Sequence, residues 1–148
     1  MRKQKSMNNK GFSLVELIIV IAIMAILIGV MSPQLMKYVE RARQSKDTQA
    51  VDTIHTAVVT AMLDPAVDDA PATKTYTKLS ELYADTTASP KFVAAVQEIA
   101  NESDASKLEY EAFKSKAYNK KYIEIKIENN KVKCTVLNND GTNHLVIE

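Results

Sequence analysis

The strongest constraint on this chain is an apolar run near its N-terminus. Residues 17–31 read LIIVIAIMAILIGVM, fifteen positions without a charge. Counting from Phe12 to Met31 gives the roughly 20 mostly apolar residues that a helix needs to span a bilayer, interrupted only by Ser13 and Glu16. Such a segment has to leave water, so we expect a helix that lies in a membrane or in the core of an assembly.

Charge flanks this run unevenly. Arg2, Lys3, Lys5 and Lys10 all precede Glu16, which is the first acidic residue. Basic residues ahead of an apolar span predict that the N-terminus stays in the cytoplasm and that the remainder is translocated. The whole chain has 19 basic and 18 acidic residues, a formal charge of +1, so it has no global basic field and we predict no specific nucleic-acid partner.

Two ordinary explanations of the run fit poorly. A cleaved secretory signal peptide needs small residues after its apolar core, and Met31-Ser32-Pro33 is a poor cleavage site. A plain signal anchor explains the hydrophobicity but has no use for Glu16. A carboxylate inside an apolar helix costs about 1–3 kcal/mol even near the bilayer edge, and such residues are candidates for function.

A third explanation comes from residues 10–17, which read KGFSLVEL. This stretch resembles the signal of type IV prepilins and pseudopilins, in which a short basic leader ends in Gly and an N-methylated aromatic residue and a Glu at mature position five follow. Pro33 coincides with a proline found in many pilins. The resemblance implies that a prepilin peptidase cuts between Gly11 and Phe12 and methylates the amino group of Phe12. Gly11 suits such a cut because it lets a protease approach the backbone closely.

The resemblance also implies roles for other residues of the span. The charge of Glu16 would be neutralised by the Phe12 ammonium of a neighbouring subunit, which rewards assembly in register. The alternative is that Glu16 only reaches the lipid headgroups. Gly29 and Pro33 predict a bend or local melting, because proline removes a helical hydrogen bond. In pilins this region loosens during packing and extension, whereas the alternative is an ordinary kink.

The rest of the chain predicts an α+β head. A helix should continue to Leu63, where Asp64-Pro65 closes it, with an apolar stripe facing the head. Residues 64–77 are interpreted as an exposed loop and residues 103–121 are too irregular for a prediction. Short helices are predicted at 78–84 and 90–100. Alternating strands are predicted at 122–127, 132–136 and 144–147, with turns at Asn129-Asn130 and at 138–141. The helical stripe is Leu35, Val39, Ala42, Ala50, Val51, Ile54, Val58, Ala61 and Met62.

These elements resemble the pilin roll, in which one long N-terminal helix packs on a C-terminal antiparallel β-meander. We divide the chain into a cleaved leader (1–11), a membrane or filament-core helix (12–33), its amphipathic continuation (34–63) and a globular head (64–148). Ile123, Ile125, Ile127, Val132, Cys134 and Val136 should face the helix. Many pilins close this region with a disulfide, but Cys134 is the single cysteine and is predicted to be a small apolar strand residue.

No catalytic site or cofactor is predicted. His55 and His144 lie apart from any recognisable triad and are interpreted as surface residues. Asp68-Asp69 and the loop 138–140 could supply oxygen ligands to calcium, but their spacing is not diagnostic.

The predicted function is therefore structural and not enzymatic. The resemblance implies a subunit of a type IV pilus that works with copies of itself, related minor pilins, the prepilin peptidase and an inner-membrane assembly platform. It implies a single-pass precursor in the cytoplasmic membrane and then an extracellular filament. A pseudopilin of a type II secretion or DNA-uptake system and a membrane-tethered binding module remain alternatives.

Overall fold

The computed structural model of the chain describes residues 11–109, 111–137 and 143–148, with backbone alone at 143 and 144. Helix α1 covers Leu14–Leu63 and ends at the residue that Asp64-Pro65 predicts. The chain forms two compact units, one ending at Tyr38 and the other running from Val39 to Glu148.

The first unit consists of the apolar half of α1. Every described residue up to Tyr38 is exposed, and most are large and apolar. The backbone is helical through Gly29 and Pro33, so the predicted local melting is not present in the single chain. Loosening of this region during assembly stays a prediction.

Three short helices follow α1 in the second unit: α2 at Leu79–Ala84, α3 at Pro90–Ala100 and α4 at Ala105–Leu108. The first two confirm the predictions for 78–84 and 90–100. Pro90 opens α3 at a position where its missing N–H costs nothing. Asn101 ends α3 with a left-handed φ of 53°, and its backbone N–H donates to the carbonyls of Gln97 and Glu98.

The second unit also contains a four-stranded antiparallel sheet. Its strands are β1 (Thr73–Tyr76), β2 (Tyr122–Glu128), β3 (Lys131–Leu137) and β4 (Asn143–Ile147), paired in that order. The β2–β3 hairpin turns at Asn129 and Asn130, whose φ values of 51° and 61° suit a type I′ turn and confirm the prediction. The predicted second turn, 138–141, lies outside the described residues.

The interpretation of 64–77 as a loop is wrong at its end, because strand β1 occupies Thr73–Tyr76 and pairs with β2. Only Tyr76 of this strand is buried, so the four residues show no apolar alternation that would mark a strand. Pairing with β2 supplies the stabilisation that the sequence pattern does not reveal. The meander therefore has four strands instead of three.

One core joins the second half of α1 to the sheet. Val51, Ile54 and Val58 of α1 are fully buried with the strand residues predicted to face them, which are Ile123, Ile125, Ile127, Val132, Cys134 and Val136. The predicted stripe is wrong at Leu35, Val39 and Ala42, which are exposed. Periodicity reports an apolar face but does not say which molecule covers it. The arrangement is the predicted α+β class.

Candidate functional site

Two hydrogen bonds from side chains to backbone N–H groups close the first turn of α1. Glu16 Oε2 accepts from the backbone N–H of Ser13 at 2.8 Å, and Ser13 Oγ accepts from the N–H of Val15 at 3.3 Å. This is a capping box, which satisfies donors that a helix start leaves without partners. The Glu16 carboxylate is thereby held at the backbone of Ser13, the residue that follows Phe12.

The residues just before the helix are open to solvent. Residues 11–13 are not helical, and the Phe12 side chain is 94% exposed. A Cβ added at Gly11 would meet no atom within 4 Å. The backbone between Gly11 and Phe12 is therefore accessible in the isolated chain.

Gly29 and Pro33 are four residues apart, which is the spacing of one backbone hydrogen bond in an α-helix. In an α-helix the N–H of residue 33 would bond the carbonyl of residue 29, but proline has no N–H and its ring crowds that carbonyl. Gly29 adds no side chain at the crowded turn, and a Cβ there would lie in open space. One backbone hydrogen bond of α1 is therefore absent at this turn, and a role for it in bending stays a prediction.

The apolar face of this half-helix has no cover within the described chain. Among the described residues, α1 is the one helix long and apolar enough to cross a membrane, with a mean hydropathy of 3.0 over its apolar window and none of that window buried. Contiguous apolar surface of this extent marks a site of contact with lipid or with other proteins.

This N-terminal segment is similar to segments of known proteins. The profile described as the prokaryotic N-terminal methylation motif matches residues 6–32. Residues 6–32 are thus similar to the N-terminal segment of type IV prepilins, and we call them the prepilin segment. Three type IV major fimbrial proteins FimA of Dichelobacter nodosus are each 40% identical to this chain over 55 residues.

These matches cover 37% of this chain and 34–35% of the fimbrial proteins, so the chain spans about a third of the length of the curated relatives it matches. No solved structure matches the chain significantly. The similarity to the fimbrial proteins is therefore limited to 55 residues of this chain.

The structure brings the predicted N-terminal site residues together in two groups. Phe12 and Glu16 flank the start of α1, and Gly29 and Pro33 share one turn about four turns further on. Their roles in processing, assembly and flexibility stay predictions. The local role of Glu16 as a helix cap was not predicted, although Ser13 followed three residues later by Glu is the usual signature of a capping box.

The head contains a shallow groove of about 1020 Å³ that His55 and the solvent-facing residues of β2 and β3 line. His55 is half-buried, and its Nε2 lies 3.2 Å from the carbonyl oxygen of Val132, so it is partly a structural residue and not purely a surface one. Opposite charges in the groove pair with each other, as in the Lys126–Glu128 and Lys133–Glu148 ion pairs. The side chain of His144 lies outside the described residues.

Cys134 is fully buried on β3, as predicted. Burial raises the pKa of its thiol to about 12, which suppresses the reactive thiolate at neutral pH. Its environment is that of a packed apolar side chain.

The two acidic residues considered for calcium have other partners. Asp69 Oδ2 and Oδ1 accept from the backbone N–H groups of Lys91 and Phe92 at 2.7 and 2.8 Å and so cap helix α3 from a distant loop. Asp68 forms an ion pair with Lys91, whose hydrogen bond and charge lower the pKa of that carboxyl. Within the described part of the chain, no three His, Cys, Asp or Glu residues gather as metal ligands would. The loop 138–140 lies outside the described residues.

Two buried carboxylates that the sequence pattern does not reveal connect elements of the head. Glu109 is 2% exposed, and its Oε2 accepts from the N–H groups of Leu79 at 3.2 Å and Ile123 at 3.1 Å. It therefore joins α2 to β2. Burial raises the pKa of Glu109, and the backbone donors only partly oppose this.

The second buried carboxylate is Asp47 on α1. Its two oxygens accept from the N–H groups of Lys114 and Ser115 at 3.0 and 2.9 Å, and Glu40, seven residues earlier, accepts from the N–H of Lys116 at 2.5 Å. Positions seven apart lie on the same face of a helix. One face of α1 thus binds the backbone of residues 114–116, which belong to the stretch 103–121 that is too irregular for a prediction from the sequence.

Proposed function

We propose that this chain is the precursor of a structural subunit of a type IV pilus. The proposal is supported by one coincidence: the prepilin motif at 6–32 coincides with a helical surface that is apolar and uncovered in the described chain. The matched relatives are named as major fimbrial proteins, which favours a pilus over a secretion or DNA-uptake pseudopilus. The protein would act by assembly and not by catalysis.

Processing would remove residues 1–11. The bond between Gly11 and Phe12 lies in the short non-helical stretch before α1, where a peptidase can reach it. The peptidase would then methylate the new amino group of Phe12. This processing would remove four basic residues and leave an ammonium close to Glu16.

Assembly would pair Glu16 of one subunit with the Phe12 ammonium of its neighbour. An unpaired charge in an apolar core is costly, whereas a pair that retains hydrogen bonds offsets much of that cost. The apolar surface supplies the cohesion, and the charge pair favours a single axial offset. Gly29 and Pro33 would give the packed helix a place to bend or extend.

The precursor would reside in the cytoplasmic membrane with its N-terminus inside and would then move to a filament outside the cell. Its partners would be copies of itself, related minor pilins, the prepilin peptidase and an assembly platform in the inner membrane.

Processing is tested by mass spectrometry of the chain from a host with an active prepilin peptidase. We expect a mature chain that begins with methylated Phe12. Gly11→Leu should leave the leader in place, because a side chain at this position blocks close approach to the backbone. Asn9→Leu, two residues upstream, is the matched control and should be cut normally. An uncut wild-type chain would sink the proposal and favour a membrane-tethered module.

Microscopy separates the filament types. A pilus subunit should produce surface filaments that contain the mature chain and disappear when it is deleted. Normal processing without surface filaments, together with loss of protein secretion or DNA uptake on deletion, would assign the chain to a pseudopilus.

A further inference from the structure

Positive charge gathers where α1 meets the segment 111–121. Residues 40–47 and 111–121 contain seven basic and three acidic residues, a net charge of +4. We call the seven basic residues the basic patch. They are Arg41, Arg43, Lys46, Lys114, Lys116, Lys120 and Lys121.

The fold holds the lysines of this patch outward. Phe113 and Ser115 are buried and alternate with the exposed Lys114 and Lys116. Asp47 and Glu40 bind the backbone N–H groups of this segment instead of its ammonium groups. The acidic residues therefore position the segment, while the lysine side chains project from it.

The patch is poorly neutralised. Arg43 approaches Glu40 at 3.9 Å, yet its side chain remains 51% exposed. No ion pair joins another member of the patch to a residue in the described ranges. All of the patch is exposed except Lys121, which is half-buried.

The patch also differs in sign from the rest of the subunit. Removal of Arg2, Lys3, Lys5 and Lys10 with the leader leaves 15 basic and 18 acidic residues, a formal charge of −3. Because the two patch segments carry +4, the remainder of residues 12–148 carries −7. A dipolar charge distribution of this kind favours an anionic partner on one side only.

The position of the patch in the sequence points to a membrane. Arg41 follows the end of the apolar run at Met31 by ten residues, and ten residues reach at most about 36 Å even when fully extended. In the proposed topology these basic residues lie on the translocated side of the membrane. Basic residues favour the cytoplasmic side, so they oppose the predicted orientation of the span. Their presence there indicates a use other than topology.

We infer that in the membrane-anchored subunit the basic patch binds the anionic phosphodiester headgroups of the leaflet from which the span emerges. This inference rests on the anchored state of the proposed function. Lipid is favoured over nucleic acid because the span tethers the patch beside the headgroups, which makes their effective concentration high without a separate encounter. Each basic residue close to an anionic surface strengthens binding about fivefold.

The test uses the full chain reconstituted in vesicles of phosphatidylcholine, with or without one third phosphatidylglycerol. Asn119→Cys, at an exposed position between the patch lysines, carries a fluorophore, and a headgroup-linked nitroxide quenches it on contact. Cys134 is buried, and the labelled wild-type chain measures any reaction there. Ala88→Cys, exposed and outside the patch, is the control label.

We expect stronger quenching at position 119 in the anionic vesicles and no such difference at position 88. Replacing Lys114, Lys116 and Lys120 by Gln should weaken the contact equilibrium roughly a hundredfold. The matched control replaces Lys91, Lys126 and Lys131 by Gln and should leave it nearly unchanged. Raising the ionic strength to about 0.5 M should abolish the contact because it shortens the Debye length below about 5 Å.

Equal quenching in both vesicles, or equal loss in both triple variants, would overturn the inference. So would a patch that ignores anionic lipid but binds a duplex DNA oligonucleotide. Flotation of the vesicles separates this failure from failure of the proposed function. A chain that inserts without patch contact refutes only the inference, whereas a chain that does not insert refutes both.

Discussion

Glu16 and Glu109 show how differently the two units of this chain treat a carboxylate. Glu16 lies on an exposed helix whose other side chains are mostly apolar, and its described hydrogen bond is with Ser13 three residues away. Glu109 lies inside the head and bonds backbone groups 30 and 14 residues away. The first carboxylate lies on a surface that the described chain leaves uncovered, and the second stabilises contacts within its own chain.

This contrast extends to the apolar residues. Those before Tyr38 are exposed, whereas most of those from Val51 onward form a core with the sheet. The buried polar side chains that the structure describes in the head all have hydrogen-bond partners. The head therefore has a packed core of its own, whereas under the proposed function the prepilin segment would be covered by lipid or by neighbouring subunits.

The largest expected effect is on assembly. Glu16→Ala should abolish filaments without changing the unfolding midpoint of the head, because it removes a charge that only the assembly pairs with a neighbour. Electron microscopy and thermal unfolding of the same preparation measure the two effects. Gln34→Ala, exposed on the same helix, should assemble normally. Normal filaments from Glu16→Ala would remove the proposed contact.

Glu109→Ala should give the opposite result. It leaves the N–H groups of Leu79 and Ile123 buried without an acceptor, so the free energy of unfolding should fall by about 2–4 kcal/mol. Glu109→Gln keeps an acceptor oxygen and should lose less. Urea denaturation of the detergent-solubilised chain, followed by tyrosine fluorescence, measures both. Equal losses for Ala and Gln would show that packing, not hydrogen bonding, matters here.

The same residue predicts a dependence on pH. Because burial raises the pKa of Glu109 above its ordinary value of 4.5, the folded chain takes up a proton at higher pH than the unfolded chain. Its contribution to stability is therefore present below that ordinary value and is lost as pH rises through the folded pKa.

The wild-type chain should thus gain stability relative to Glu109→Gln as the pH falls from neutrality towards 4.5, by part of the loss seen with Ala. Parallel denaturation series across this range measure the difference. A constant difference would show that Glu109 does not titrate there.

The smallest effect concerns the distant cap of α3. Asp69→Ala should cost about 1 kcal/mol, because it removes the acceptor of two N–H groups at the helix start. Asp68→Ala, its neighbour, removes only an exposed ion pair and should have a much weaker effect. Denaturation midpoints of the two variants decide the order, and a larger loss at Asp68 would contradict it.

The sequence predicts well where one short pattern suffices. The end of α1, helices α2 and α3, and the β2–β3 hairpin each depend on adjacent residues such as Asp64-Pro65, Pro90 and Asn129-Asn130. The same is true of the motif around Gly11 and Glu16. These features are local, so their signals stand in the sequence itself.

Features that depend on distant partners are not visible in the sequence. Strand β1 has one buried residue and is defined by its pairing with β2. Asp47, Asp69 and Glu109 resemble solvated charges until the backbone groups that they bind are known. Val39 shows a related limit, because its helical spacing predicted contact with the head but the residue is exposed.

The capping box of α1 changes what a charge pair between subunits would mean. Glu16 accepts from its own Ser13 through Oε2, so the ammonium of a neighbour would bind the other oxygen or share this one. The cap fixes the position of the carboxylate before the neighbour arrives, so only an axial offset that brings the ammonium to that position would neutralise the charge. Glu16 would determine which axial offset between subunits forms. The strength of the filament would come from the apolar surface around it.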